Sequence, residues 1–243
     1  MAADPTPQDR LIFALDVPDL PTAVRYIQTL GDSVGCFKVG LELFTRAGPE
    51  AIRAVHDHSG AAVFLDLKLH DIPATVQRAV TAAGEHKVKF LTVHCSGGEP
   101  MLEAALKAVQ PGLQLLGVTV LTSMTSHDLD PALGYSDGIT VNELVMDRML
   151  MSRDVGLTGF VCSAEEVKDI KKQSGGPILT VVPGIRPADK TVLQDDQGRV
   201  ATPGRAIELG ADYLVVGRPI RDAKDPKDAA QRIVNEIASA LKA

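Results

Sequence analysis

Short apolar runs alternate with segments of helical spacing along the whole chain. The apolar runs have the length of β-strands, and the segments between them have the periodicity or the composition of amphipathic helices. The predicted strands cover residues 11–15, 35–39, 62–67, 88–94, 113–121, 159–162, 178–182 and 213–216. The predicted helices cover residues 21–30, 44–58, 74–83, 100–109, 141–154, 164–173, 205–209 and 227–241, so that one helix follows each strand.

This alternation predicts right-handed βαβ units and therefore a parallel sheet. Eight such units in 243 residues fit a (β/α)₈ barrel, whereas a doubly wound open sheet usually has fewer strands. No break in composition divides the chain. We therefore predict an α/β protein with a single-domain (β/α)₈ TIM barrel over residues 11–243. The polar, proline-containing residues 1–10 are expected to form a flexible tail.

Charged residues interrupt the third predicted strand near its end. The segment reads Asp66-Leu67-Lys68-Leu69-His70-Asp71 and follows the apolar run of residues 61–65. Because side chains alternate along a strand, Asp66, Lys68 and His70 are expected on one face and the leucines on the other. A strand with one apolar face and one charged face favours a catalytic pocket over a structural ion pair.

Polar residues also end other predicted strands. These residues are Asp16, Lys38, His94, Arg186 and Arg218. The carboxyl ends of barrel strands lie at one rim, where barrel enzymes have their active sites, so these side chains are expected to converge on one pocket. Considered alone, Asp16 could be a turn or cap residue and His94 a structural histidine.

The seventh and eighth strands are each followed by a glycine and an arginine, in PGIRP at residues 183–187 and VGRPI at 216–220. In barrels, loops at these two places form a recurrent phosphate site. Glycine allows close approach of the backbone, arginine donates paired hydrogen bonds, and Gln197 could add a further donor. The simpler alternative is a pair of turns, each with a surface arginine.

Composition narrows the possible partners. A net charge of −6 disfavours general attraction to nucleic acid or to an anionic membrane. Three widely spaced cysteines indicate buried thiols in a reducing compartment, and neither a signal peptide nor a membrane-spanning run is recognisable, so a cytoplasmic protein is expected.

Cofactor motifs are also lacking in the sequence. We find no metal-ligand spacing and no glycine-rich dinucleotide fingerprint, so the sequence predicts chemistry without a metal or cofactor. Two long connections, residues 122–140 and 184–203, follow the fifth and seventh strands. Both are candidate lids over the pocket, although each could be a tolerated surface insertion.

Seven segments, in this order, resemble the orotidine 5′-phosphate decarboxylase family of bacteria. They are FALDV at residues 13–17, FKVG at 37–40, FLDLKLHDIPATV at 64–76, VTVLTS at 118–123, PGIRP at 183–187, DQGR at 196–199 and VVGRPI at 215–220. The resemblance covers nearly the whole chain. It implies a cofactor-free (β/α)₈ homodimer that converts orotidine 5′-phosphate to UMP, the last step of de novo UMP synthesis.

The resemblance also implies roles for residues that match the family's motifs. Lys68 resembles the general acid, and Asp66 the residue beside the substrate carboxylate. Asp71 and Thr75 resemble residues that reach into the neighbouring subunit's site. The other matching residues are Asp16 and Lys38 for the ribose, Thr122 or Ser123 for the pyrimidine, and Arg186, Gln197, Gly217 and Arg218 for the phosphate.

Two positions depart from the common pattern, since Leu69 stands where many members have Phe and Ala74 where many have Asn. Neither departure removes a charged group, so they put local packing in doubt more than activity. Three other functions stay open at this stage. The first is a metal-dependent sugar-phosphate decarboxylase or aldol synthase, and the second a Schiff-base aldolase that uses Lys68. The third is a catalytically silent phosphate-binding protein.

Overall fold

Eight parallel strands close into a barrel in a computed structural model that describes residues 4–125, 128–129, 139–187 and 200–242. Each strand pairs with its neighbours in chain order, and the last pairs with the first. The strands are β1 (Leu11–Ala14), β2 (Cys36–Gly40), β3 (Ala62–Leu69), β4 (Phe90–His94), β5 (Gln114–Val118), β6 (Gly159–Val161), β7 (Leu179–Val182) and β8 (Tyr213–Val216). The predicted TIM barrel is confirmed.

Helices connect the strands on the outside of this barrel. They are α1 (Leu20–Leu30), α2 (Leu41–Ala47), α3 (Glu50–His58), α4 (Pro73–Glu85), α5 (Gly98–Lys107), α6 (Val141–Asp154), α7 (Val167–Gln173), α8 (Pro203–Glu208), α9 (Arg218–Arg221) and α10 (Pro226–Ala240). Single 3₁₀ turns at Cys95–Gly97 and Ala164–Glu166 precede α5 and α7.

The prediction of one helix over residues 44–58 is wrong, because two helices, α2 and α3, occupy residues 41–58. Gly48 ends α2 with a φ of 56°, a left-handed conformation that glycine adopts without steric cost, and Pro49 then precedes α3. The rule of one helix after each strand also fails after β8. There the short α9 ends at Arg221, and a second helix, α10, begins after the N-cap residue Asp225.

Alternation along the strands divides the apolar side chains into two cores. One set packs inside the barrel and includes Ile12, Phe64, Phe90, Leu116 and Val215. The rings of Phe64 and Phe90 meet edge to face with their centroids 6.0 Å apart. The larger set fills the layer between strands and helices. Because the barrel interior is packed, the space for a ligand lies at the carboxyl ends of the strands.

Residues before β1 form a short turn at the opposite end of the barrel. The backbone N–H and the hydroxyl of Thr6 donate to the Asp9 carboxylate, and Arg10 donates to the carbonyl of Asp212 at 3.1 Å. The division into a tail at residues 1–10 and a barrel domain at 11–243 stays a prediction. Within the described part of the chain, no helix has the length and apolar character needed to cross a membrane.

Candidate active site

A cavity of about 700 Å³ opens at the carboxyl ends of the strands. It contains nine residues that the sequence singled out, from six different strands or the loops that follow them. They are Asp16, Lys38, Asp66, Lys68, Thr122, Ser123, Arg186, Gly217 and Arg218. Gln197, also singled out from the sequence, lies outside the described residues, as does most of both candidate lids. The barrel therefore brings together residues that are up to 202 positions apart in the chain.

Four charged side chains alternate in sign across the floor of this cavity. The Lys68 ammonium lies 2.9 Å from both carboxylate oxygens of Asp66. On the other side of Asp66, the Lys38 Nζ atom lies 3.7 Å from Oδ2, and the same ammonium donates to Asp16 Oδ1 at 3.0 Å. The order is Asp16, Lys38, Asp66 and Lys68, so each charge has an opposite charge beside it.

The two central groups of this row are nearly inaccessible to solvent and remain charged. Burial acts to raise the pKa of Asp66, but attraction to Lys38 and Lys68 and hydrogen bonds from Lys68 and Thr92 outweigh burial and lower it. Burial acts in the opposite direction on Lys38, where attraction to Asp66 and Asp16 raises the pKa above its usual value. Mutual attraction thus holds a carboxylate and an ammonium ion in a largely dry site.

The backbone is irregular at Lys68, the last residue in this row of charges. Lys68 has a φ of 50°, and the pairing of β3 with β4 shifts register between Leu65 and Leu69. The Thr92 hydroxyl on β4 accepts a hydrogen bond of 2.8 Å from the Lys68 backbone N–H and donates one of 2.9 Å to Asp66. Sequence reasoning missed Thr92, since an isolated threonine in an apolar strand gives no signal.

Two arginines that line the cavity follow β7 and β8. Gly184 has a φ of 75° after β7 and lets the chain turn toward Arg186, whose Nη1 donates to the Ile185 carbonyl at 2.9 Å. Gly217 follows β8 and caps α9, which begins at Arg218. A Cβ atom at Gly217 would lie 3.5 Å from Ala14 Cβ, at ordinary van der Waals distance. Two arginines and the row of four charged side chains therefore line one cavity.

Four residues singled out from the sequence do not line the cavity. They are His70, Asp71, Thr75 and His94. The β3 strand ends at Leu69, so the alternation that grouped His70 with Asp66 and Lys68 does not extend to His70. Its ring packs against His94, with the centroids 5.3 Å apart. Asp71 is exposed and Thr75 half-buried at the start of α4, on the outer rim.

Arg221 lines the cavity and was missed from the sequence. Its Nη1 atom donates to the backbone carbonyl of Asp16 at 2.9 Å, across 205 residues of sequence. The spacing of the GRPIR segment could have revealed Arg221, because it lies three positions after Arg218. Residues three positions apart lie on the same side of a helix.

The family of the chain follows from comparisons over nearly its whole length. The model of the orotidine 5′-phosphate decarboxylase / HUMPS family matches residues 9–233. This chain belongs to that family. An orotidine 5′-phosphate decarboxylase of Desulfosudis oleivorans is 49% identical over 239 residues, which cover 97% of this chain and 96% of the relative. One from Afipia carboxidovorans is 47% identical and covers 99% of this chain and 100% of the relative.

A solved orotidine 5′-phosphate decarboxylase from Lactobacillus acidophilus has the same fold. It superposes with a TM-score of 0.79 at 36% identity, and the alignment covers 93% of this chain and 98% of that one. Membership of the decarboxylase family identifies the chain as an enzyme. In the described ranges, no group of three or more His, Cys, Asp and Glu side chains is arranged to hold a metal ion.

Proposed function

We propose that this enzyme decarboxylates orotidine 5′-phosphate to UMP and CO₂ without a cofactor, as the last step of de novo UMP synthesis. Lys68 is the proposed proton donor to C6 of the pyrimidine. The observation that carries this proposal is the pairing of Lys68 with Asp66 in a cavity that Arg186 and Arg218 also line. The identity to curated decarboxylases over almost the full chain supports the choice of substrate.

The proposed reaction breaks one bond and forms one. The bond between C6 and the carboxylate carbon breaks, CO₂ leaves, and the electron pair stays on C6. The Lys68 ammonium stabilises this carbanion electrostatically and then transfers a proton to it, which gives UMP and a neutral amine that solvent reprotonates. Because Asp16, Lys38 and Asp66 position the ammonium before the substrate binds, little reorganisation is needed during the reaction.

Asp66 is proposed to face the substrate carboxylate and to repel it until neutral CO₂ leaves. Two unit charges 4 Å apart interact by about 4 kcal/mol at an effective dielectric constant of about 20. Enzymes lower barriers by up to about 23 kcal/mol, so this repulsion alone is too small to explain a large acceleration. Stabilisation of the carbanion and binding of the phosphate must supply the rest.

Phosphate binding is assigned to Arg186, Gln197, Gly217 and Arg218, and pyrimidine binding to Thr122 with Ser123 beside it. Asp16 and Lys38 are assigned to the ribose. The position of Arg186 and Arg218 in the cavity lining supports the phosphate assignment, because a guanidinium donates charge-assisted hydrogen bonds to a phosphate. Closure of residues 122–140 and 184–203 over a bound phosphate would exclude water and convert binding energy into catalysis.

The proposed assembly is a homodimer in which Asp71 and Thr75 serve the neighbouring subunit's site. Both residues lie outside their own cavity at the rim. Between them, Ile72 has 66% of its surface exposed, and Leu41, the first residue of α2, has 54% exposed. Large apolar side chains exposed beside polar ones are typical of a surface that a second subunit covers.

The proposed setting is the cytoplasm, with a small-molecule substrate and without a nucleic-acid or membrane partner. All three cysteines are free and buried. Burial raises the pKa of the Cys36 thiol to about 12 and that of Cys95 to about 11, so both are unreactive at neutral pH. These buried thiols and the net charge of −6 support the proposed setting.

The deciding experiment mixes chelator-treated protein with orotidine 5′-phosphate and follows UMP and CO₂. We expect turnover that added Mg²⁺ does not increase. Absence of turnover by folded protein would refute the proposal, and turnover that requires a divalent metal would refute its cofactor-free part. A sugar phosphate tested in parallel, with and without Mg²⁺, distinguishes the sugar-phosphate decarboxylase or aldol synthase that the sequence left open.

A further inference from the structure

Arg221 connects α9 with the loop after β1. It is the last residue of α9, the helix that begins at Arg218, and its backbone carbonyl accepts a 2.9 Å hydrogen bond from the Tyr26 hydroxyl. Its guanidinium donates to the Asp16 carbonyl at 2.9 Å and to both carboxylate oxygens of Asp222, at 2.7 Å and 3.1 Å. With one end of the fork on Asp222, the guanidinium holds a fixed orientation toward Asp16.

The Asp16 carbonyl belongs to the residue that begins the row of charges. Asp16 follows β1 in a loop, and half of its side chain is exposed, so the strand does not hold it by burial. The Asp16 side chain pairs with Lys38, whose ammonium also lies 3.7 Å from the Asp66 carboxylate. A backbone shift at Asp16 would therefore move the Lys38 ammonium and, through Asp66, the environment of Lys68.

We propose that Arg221 is a positioning residue that fixes Asp16, and through it Lys38, relative to the phosphate-binding helix α9. Because Arg218 and Arg221 belong to the same helix, the contact fixes the position of Asp16 relative to the proposed phosphate-binding arginine. This inference rests on the proposed function, because it assigns the phosphate to Arg218. It adds a residue whose action on the substrate is indirect, through the backbone of Asp16.

A double-mutant cycle tests this coupling. Arg221→Ala should lower kcat/KM for orotidine 5′-phosphate by about 10- to 100-fold, the effect of losing a hydrogen bond from a charged donor. In an Asp16→Ala background the same change should cost less than about 3-fold, because no Asp16 side chain is left to position. Arg221→Lys, which retains a donor, should recover part of the activity and replaces Arg221→Ala in the cycle if the alanine variant does not fold.

Arg205→Ala is the matched control. Arg205 is an exposed helical arginine, paired with Glu208 at 3.3 Å, and it does not line the cavity. This variant should retain full activity. Equal losses from Arg221→Ala in both backgrounds would overturn the inference and indicate an independent action of Arg221, and so would unchanged activity. Failure of the wild-type protein to turn over orotidine 5′-phosphate would instead refute the proposed function.

Discussion

The backbone N–H of Lys68 donates a 2.8 Å hydrogen bond to the hydroxyl of Thr92. This contact stabilises Lys68 at a φ of 50°, a backbone conformation that residues other than glycine rarely adopt. Thr92 is fully buried on the neighbouring strand and donates its own proton to Asp66. One hydroxyl therefore fixes both the backbone of the proposed proton donor and its carboxylate partner, and backbone strain at such a position is typical of functional sites.

Thr92→Val should lower kcat by about 10- to 100-fold, because the strained backbone at Lys68 loses about 1–3 kcal/mol of support. The free energy of unfolding should fall by a similar amount, measured by urea denaturation. Thr92→Ser keeps the hydroxyl and is the control, with activity within a few-fold of wild type. Equal activities for the valine and serine variants would show that the hydroxyl has no role in positioning Lys68.

Lys68→Ala should lower kcat by about 10²- to 10⁴-fold, because it removes both the proton donor and the positive charge beside C6. UMP should still bind, since the two arginines of the cavity remain and Lys38 and Thr92 still compensate Asp66. Steady-state kinetics and calorimetric titration with UMP separate the two effects. Lys107→Ala, an exposed lysine paired with Glu103, controls for loss of charge. Normal turnover by the Lys68 variant would exclude Lys68 as the acid.

Arg218→Ala should raise KM for orotidine 5′-phosphate by about 10- to 100-fold, because it removes charge-assisted hydrogen bonds to the proposed phosphate. Turnover of orotidine, which has no phosphate, should change little in the same variant. Comparing the two substrates in wild-type and variant protein measures this difference. A similar loss on both substrates would show that Arg218 contributes to the fold of the site and not to phosphate binding.

Mixing inactive Lys68→Ala with inactive Asp71→Ala should restore about a quarter of wild-type activity, because random two-fold dimers then contain one complete site in every hybrid. Subunit exchange is verified by mass spectrometry before the assay. As a control, Lys68→Ala mixed with the Lys68→Ala/Asp71→Ala double variant should stay inactive. Inactive mixtures despite demonstrated exchange would show that the sites are not shared.

His94 should make the protein less stable in mild acid. Burial, with repulsion from His70, Lys68 and Arg148, lowers the pKa of His94 below its ordinary value of 6.5. The unfolded chain therefore binds the proton more readily, so stability is full above pH 6.5 and is lost as the pH falls through the lowered folded-state value. Urea unfolding between pH 7 and pH 5, about the range over which histidine titrates, measures this loss. His94→Asn should weaken the pH dependence, and an unchanged dependence would contradict the prediction.

Local sequence patterns were sufficient for most of the barrel. The apolar and polar periodicity that distinguishes strands from helices can be read from short stretches of sequence. The predicted strands therefore correspond to all eight strands of the structure. The errors occurred where one local conformation interrupts a pattern, as at Gly48, whose positive φ divides the predicted helix into α2 and α3. The ends of strands also shifted, since the predicted run of residues 113–121 is a strand only over Gln114–Val118.

The sequence by itself predicted most of the charged residues that line the cavity, because each of them follows or ends an apolar strand: Asp16, Lys38, Asp66, Lys68, Arg186 and Arg218. The tertiary structure alone decided what holds them. Thr92 and Arg221 act through contacts with Lys68 and Asp16 that span 24 and 205 residues. Such contacts arise from barrel closure and strand register, which the local hydrophobic periodicity of the sequence does not specify. His70 shows the converse, because a local irregularity at Lys68 and the end of β3 at Leu69 interrupt the alternation that grouped His70 with Asp66 and Lys68.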